Sequence, residues 1–285
     1  MNTLILLHLS DLHFFDSIFL LKHLIRSKAA FSKQLIGMLN IKLRRGKYFS
    51  EDIHHRLFDQ IGNMKWDYLV ISGDLTCLST EAEFVKAREE LEFLTKTGKV
   101  LLTAGNHDRY VRSAIEPNLM EKYFGDCFPF KKSLTDSSPY PVIELSDSVL
   151  LFELEQATPR SPISSRGRIK SDLPVIEKHI QEQFPNHLKI AVGHYPAFLP
   201  DSVNEGYFHG LSKKHILRKF LLENDILLYL HGHIHKSWAF LPHPDNPLIC
   251  INSGGCCRYT EGDWSGFHRI TIDEKKVSVQ RVKLI

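Results

Sequence analysis

The feature that most constrains this chain is a repeated punctuation: short apolar runs stop abruptly at Gly, Asp, His or Asn, and longer stretches with helical periodicity separate them. The runs are Thr3–Leu9, Tyr68–Ser72, Val100–Ala104, Lys189–Val192, Ile226–Leu230 and Leu248–Asn252. Such runs read as strands buried on both faces. Helical patterns occupy Ser50–Met64, Thr80–Lys96, Asp172–Phe184 and Ser212–Glu223, and Thr80 with Glu83 has the spacing of a capping box. Val149–Leu154, Ser237–Leu241, Phe267–Asp273 and Lys276–Val282 read as further strands, the last two as a hairpin around Glu274. Strand and helix in alternation predict an α/β architecture with largely buried sheets. No long linker, repeat or low-complexity stretch divides the 285 residues, so a single domain spanning 1–285 is expected.

Several classes are excluded at this stage. No stretch approaches the roughly 20 consecutive apolar residues of a membrane-spanning helix, and Met1–Leu7 has neither the basic start nor the cleavage site of a secretion signal. A protein inside the cell is expected. Cys77, Cys127, Cys250, Cys256 and Cys257 form an odd set without a C-x-x-C pair, so they read as reduced, mostly buried thiols. The net charge is only +3, but residues Ser17 to Phe49 hold eight Lys or Arg and no Asp or Glu. The rest of the chain is mildly acidic, so one segment carries the basic character.

Chemistry gathers where the strands end. Asp11-Leu12-His13 follows the first, Gly73-Asp74 the second, Gly105-Asn106-His107-Asp108 the third, Gly193-His194 a later one, and Gly232-His233-Ile234-His235 another. Polar groups at the carboxyl ends of several parallel strands converge on one crevice. Two metal ions a few ångströms apart need about eight ligand bonds and one group that touches both. Asp74 suits that role because a carboxylate offers two oxygens, while imidazoles and an amide oxygen fill the other positions. Oxygen and nitrogen donors without thiolate favour Mn²⁺, Fe²⁺ or Zn²⁺. Histidines outside these blocks, including His8, His54 and His268, read as surface or packed residues, and Asp108 reads as a loop group.

In this order the five blocks resemble those of calcineurin-like metallophosphoesterases, from Asp11 to His235. The resemblance implies a four-layer αββα sandwich, which agrees with the pattern read above, and hydrolysis assisted by two divalent ions, Mn²⁺ foremost. It places Asp11, His13, Asp74 and His235 on one ion, and Asp74, Asn106, His194 and His233 on the other. His107 is then the catalytic histidine, beside the substrate and outside the metal shell.

Between the first two blocks lies a helical insertion, residues 14–49. Within it Leu20 and Leu24, then Phe31, Leu35, Leu39 and Leu43, gather on apolar sides opposite basic residues, and the stretch ends in Arg44-Arg45-Gly46-Lys47. Two readings stand equally open: a surface hairpin packed on the core, or a lipid-facing lid on an anionic membrane surface. The segment Leu39 to Arg45, the run Gly73-Asp74-Leu75-Thr76 and Phe208-His209-Gly210-Leu211 are similar to a bacterial branch of the family that includes a UDP-2,3-diacylglucosamine pyrophosphatase of lipid A synthesis. That likeness implies an acylated nucleotide-sugar as substrate, UMP and 2,3-diacylglucosamine 1-phosphate as products, and a peripheral location on the cytoplasmic face of the inner membrane. Arg109, Arg166, Arg168, Lys213 and Lys214 are candidate phosphate contacts, with surface ion pairs or solvated loops as the competing reading. A cyclic-nucleotide or nucleotide phosphodiesterase is the rival activity, and an inactive scaffold the rival of another class. Nucleic acid is disfavoured, because the basic residues sit among aliphatic side chains rather than along an aromatic groove.

Overall fold

The computed structural model describes residues 3–15, 51–110, 118–127, 142–160, 164–258, 265–274 and 276–284. The lid residues Leu20, Leu24, Phe31, Leu35, Leu39, Leu43, Arg44 and Arg45 lie outside them.

In chain order the elements are β1 (Leu4–Leu9), α1 (Glu51–Gly62), β2 (Tyr68–Ile71), α2 (Glu81–Thr95), β3 (Val100–Leu102), α3 (Leu119–Phe124), β4 (Val142–Ser146) and β5 (Val149–Glu153). Then come β6 (Gly167–Arg168), α4 (Leu173–Gln183), β7 (Leu188–Val192), β8 (Leu211–Ser212), α5 (Lys214–Glu223) and β9 (Ile226–His231). The chain closes with β10 (Trp238–Phe240), β11 (Ile249–Asn252), β12 (Gly266–Asp273) and β13 (Lys276–Lys283). Every strand and helix read from the sequence within the described residues is present, with ends shifted by a residue or two; the helical insertion read over 14–49 lies almost wholly outside them.

Two sheets form. One has the order β13-β12-β1-β2-β3, the other β10-β11-β9-β7-β5-β4, and β6 pairs with β8 alone. In the first, β1, β2 and β3 run parallel. In the second, β5, β7, β9 and β11 run parallel. Side chains alternate across each strand, so each sheet has two faces to bury. Leu4 and Leu6 of β1 meet Leu151, Ile190, Leu228 and Ile251 of the other sheet in one inter-sheet layer. Leu7 and Leu9, on the opposite face of β1, pack under Phe58 and Ile61 of α1 and Phe84 and Leu91 of α2. The far face of the second sheet, through Phe152, Ala191 and Tyr229, packs against Ile176 and Ile180 of α4 and Leu217 and Phe220 of α5. Helix, sheet, sheet, helix is the αββα sandwich expected. Among the described residues no helix is long and apolar enough to cross a membrane.

Helix α2 begins with the predicted capping box: Glu83 N–H donates to Thr80 Oγ1 at 3.3 Å, and the Glu83 carboxyl accepts from Thr80 N at 3.0 Å. The same oxygen accepts from Leu78 N at 3.0 Å. Glu83 is fully buried, and burial pushes its carboxyl up to about 8. The unfolded carboxyl ionises near its ordinary value while the folded one resists, so stability is full at low pH and falls as pH rises through the interval between them. Glu83→Gln, which keeps the cap, is expected to remove a slope of up to about 1.4 kcal/mol per pH unit between about pH 4.5 and 8. Urea unfolding across that range reads it; an unchanged slope in the variant would show that Glu83 is ionised in the fold.

Candidate metal centre

The carboxyl ends of β1, β2 and β3 in one sheet and of β7 and β9 in the other meet at one rim of the sandwich. There the chain must leave each strand sharply, and five of the seven predicted ligands do so in the left-handed region. Asp11 (φ 54°), His13 (φ 54°), Asp74 (φ 56°), His233 (φ 77°) and His235 (φ 57°) all adopt it. Asp and His are among the few residue types that tolerate that conformation, and side chains held there cluster at functional sites. The turns are fixed by backbone bonds between them: Asp11 N to Gly73 O and His13 N to Asp74 O, both at 3.0 Å, and Gly232 N to His194 O at 3.0 Å. Gly105 is required by close approach, since a Cβ there would stand 2.1 Å from Asp74 Oδ1.

Asp11, His13, Asp74 and His235 each bring one donor atom within 4.8 Å of the others. On the far side of Asp74, His194 Nε2 lies 3.4 Å from Asp74 Oδ2 and 3.1 Å from Asn106 Oδ1, and His233 Nδ1 lies 2.8 Å from Asn106 Oδ1. Asp74 Oδ2 faces both groups, being 3.8 Å from His13 Nε2 as well. Asp74 Oδ1 accepts from the His107 backbone N–H at 2.8 Å.

The imidazoles are oriented from behind, as ligands are. His194 Nδ1 meets the Ser72 carbonyl at 2.8 Å, His13 Nδ1 the Thr76 carbonyl at 3.3 Å, and His233 Nε2 the His209 carbonyl at 2.8 Å. Each carbonyl takes the ring proton and leaves the other nitrogen's lone pair toward the cluster. His235 differs: Arg258 Nη1 stands 2.9 Å from its Nδ1. A guanidinium only donates, so ligation through Nε2, which puts the ring proton on Nδ1, requires that guanidinium to turn aside.

The residues fit two cations. Among the described residues Asp11 Oδ1 is buried and accepts no hydrogen bond, with two imidazole nitrogens facing it, His235 Nε2 at 3.1 Å and His13 Nε2 at 3.8 Å. Burial would raise the Asp11 carboxyl, but His235 and then His194 pull it down to about 2. Asp74 is likewise lowered, against its burial, by His194 and His107. Burial would lower His194, yet Asp74 beside it lifts it to about 9, while burial holds His233 down at about 3 and His13 below its ordinary value. A proton held between Asp74 and His194 is the positive charge that a metal ion replaces.

The calcineurin-like phosphoesterase family profile matches residues 4–237. The chain belongs to the calcineurin-like phosphoesterase family. It is therefore a metal-dependent phosphohydrolase of a dinuclear family. No curated protein matches it in sequence. Solved structures share its fold at low identity. A dimetal phosphatase from Danio rerio superposes with a TM-score of 0.59 at 13% identity, over 99% of this chain and 96% of that one. The sulfate thiohydrolase SoxB of Thermus thermophilus gives 0.51 at 12%, over 98% of this chain and 56% of that one, so this chain spans about half its length. A Plasmodium protein described as the anchor in the inner membrane complex gives 0.50 at 15%, over 99% and 85%.

Within this phosphoesterase, His107 lies beside the ligands. Its Nδ1 meets the Cys77 carbonyl at 2.5 Å, its ring stacks on Tyr110 at 5.2 Å and meets His13 edge-on at 4.9 Å. Asp108 is a loop clamp, accepting from Gly105 N and Thr76 N at 2.9 Å and from Leu75 N at 3.2 Å. The five basic candidates separate. Arg109 is buried and bidentate on Glu121. Lys214 pairs with Glu205 at 2.5 Å, and the Arg166 guanidinium covers the exposed Tyr207 ring at 4.6 Å. Arg168 and Lys213 line one cavity together.

Three further residues, Ser10, Gln156 and Arg258, went unread in the sequence, and His209 was read only as part of the Phe208–Leu211 run. Ser10 Oγ donates to Asp11 Oδ2 at 2.6 Å; Gln156 Oε1 accepts from His194 N at 3.1 Å and Tyr195 N at 2.8 Å; His209 and Arg258 act as above. Gln156 closely follows β5, so a polar residue at a parallel strand's carboxyl end was its one signal. The Gly254-Gly255 turn comes close to the centre: a Cβ on Gly255 would lie 3.6 Å from His235 Cβ. Cys256 and Cys257 are buried packing groups, and Ser10 N donates to Cys256 Sγ at 3.2 Å.

Because His194 is the one predicted ligand that Gln156 bonds among the described residues, Gln156→Leu is expected to weaken one of two bound ions about 10–100-fold and leave the other in place. Elemental analysis after dialysis reads this directly; equal loss of both ions would contradict the division of ligands given above.

Proposed function

We propose that this phosphoesterase hydrolyses the pyrophosphate of UDP-2,3-diacylglucosamine, releasing UMP and 2,3-diacylglucosamine 1-phosphate, as a peripheral protein on the inner face of the inner membrane. The hydrolytic half of the reading is carried by the single carboxylate oxygen, Asp74 Oδ2, that faces two groups of ligands at once. The lipid half is supported by the sequence: a basic amphipathic segment follows directly on the ligands Asp11 and His13. The Phe208-His209-Gly210-Leu211 run quoted for the bacterial branch also contributes, since its His209 carbonyl orients His233.

Two divalent ions, for which we assign Mn²⁺ with Fe²⁺ and Zn²⁺ accepted by the same donors, would when bound supply activated water and neutralise the phosphoryl oxygens. The chain's own residues do the rest. Asp11, His13, Asp74 and His235 would hold one ion, and Asp74, Asn106, His194 and His233 the other. His107 holds its Nδ1 on the Cys77 carbonyl, so proton exchange with the leaving oxygen runs through Nε2. Tyr110 behind the ring keeps it in plane.

The deciding assay is Mn²⁺-supported hydrolysis of UDP-2,3-diacylglucosamine in detergent, beside cyclic AMP and bis(p-nitrophenyl) phosphate, with Asp74→Ala as the control for contaminating activity. Turnover of the acylated nucleotide alone, lost in the variant, supports the reading. Turnover of the soluble diesters alone discards the lipid substrate and keeps the metal centre. In the same assay His107→Ala is expected to lower kcat about 10²–10³-fold with metal content unchanged; a variant that is inactive because it has lost its ions would refute the role given to His107.

A further inference from the structure

A cavity of about 450 Å³ opens between the β6–β8 pair and the amino end of α4. Among the described residues it is lined by Arg160, Arg168 and Lys213, by Asp172, and by an apolar side that includes Ile169 and Ile216. Three cationic residues and one carboxylate thus line it; Asp172 caps α4 by accepting from Val175 N at 3.3 Å, and Arg160 Nε donates to the Arg166 carbonyl at 3.0 Å. Nearby cations have partners: Lys214 is on Glu205, Lys170 on Glu155, Arg166 on Tyr207. Among the described residues no hydrogen bond or ion pair engages the side chains of Arg168 or Lys213. Lys213 also sits in the left-handed region (φ 56°) at the start of α5, where its carbonyl accepts from Ile216 N at 3.0 Å and its side chain makes no cap bond.

Both walls of the cavity are tied to metal ligands. On one side Arg168 N donates to Gln156 O at 2.9 Å, and the Gln156 side chain holds His194. Gly167 beside it is pressed on the Tyr195 ring so closely that a Cβ would stand 2.4 Å from Cε2. On the other side Lys213 is four residues beyond His209, whose carbonyl orients His233, so the backbone between them spans at most about 14 Å. The Tyr195 ring in turn lies 4.3 Å from the His233 ring, so a single side chain separates the β6 wall of the cavity from a predicted ligand.

We propose that this cavity is a second oxyanion subsite of the same active site, holding the phosphoryl or carboxylate group of the substrate that is not being cleaved. Arg168 presents a planar fork to two oxygens, Lys213 adds a point charge, and the apolar side receives the carbon skeleton that bears the anion. The inference rests on the phosphoesterase reading but not on the acylated substrate.

The test uses the Mn²⁺-loaded full chain and its Arg168→Gln/Lys213→Gln variant, both hydrolysing bis(p-nitrophenyl) phosphate. UDP-N-acetylglucosamine, which carries two phosphoryl groups, and inorganic phosphate, which has one, serve as competitors. In the wild type the two-phosphoryl compound is expected to bind more tightly. In the variant its Ki is expected to rise about tenfold or more, with the Ki of phosphate within about twofold. A Ki that does not move, or two Ki values that rise together, overturns the proposal. If the wild type hydrolyses no diester, the phosphoesterase reading fails separately. The cavity is then judged by soaking tungstate into crystals of the metal-loaded protein: an anion between residues 168 and 213, absent in the variant, supports it, and none in the wild type overturns it.

Discussion

Everything at the rim of this sandwich follows from keeping one carboxylate charged where water cannot reach it. Asp74 is buried, and an ionised carboxylate taken out of water without partners costs several kcal/mol even after the protein relaxes. The neighbours offset that cost from every direction. His194 approaches one oxygen, His13 stands off the same oxygen on the other side, and the His107 backbone N–H occupies the second. Asp108, close behind, spends its own carboxylate on three backbone N–H groups and so locks the β2 and β3 loops that carry Asp74 and Asn106.

The strain at the rim and the chemistry have one cause. Parallel strands buried on both faces must end in loops that turn at once, and the ligands are the turning residues themselves. Left-handed backbone at Asp11, His13, Asp74, His233 and His235 is unfavourable for any L-residue, yet it folds each side chain back over the strand end toward its counterpart. The backbone bonds that cross between loops supply the restraint.

Much of this was legible in the sequence, for physical reasons. Strands buried on both faces leave unbroken apolar runs, and ligand loops concentrate rare side chains at their ends, so β1, β2, β7 and β9 and the ligand blocks could be read directly. Elements without those signatures could not. In β4 only Leu145 is buried, so no apolar run marks it. Helix α3 has six residues and an Asn118 that makes no cap bond. The two-residue strands β6 and β8 exist only through each other, Gly167 opposite Leu211. At the centre, the His209, Ser72 and Thr76 carbonyls that orient imidazoles leave no trace in residue type. The cavity beside the centre was half legible: Arg168 and Lys213 were singled out with three other basic residues, and only three-dimensional pairing separates them from Arg109, Lys214 and Arg166.

The predicted ligands come from both sheets and from distant parts of the chain: His13 and His235, whose Nε2 atoms lie 3.0 Å apart, are separated by 222 positions. A centre assembled this way cannot be completed on a partly synthesised chain, because its last two imidazoles, His233 and His235, emerge after most of the protein has been made. An ion met earlier in synthesis would find fewer donors than the finished rim offers.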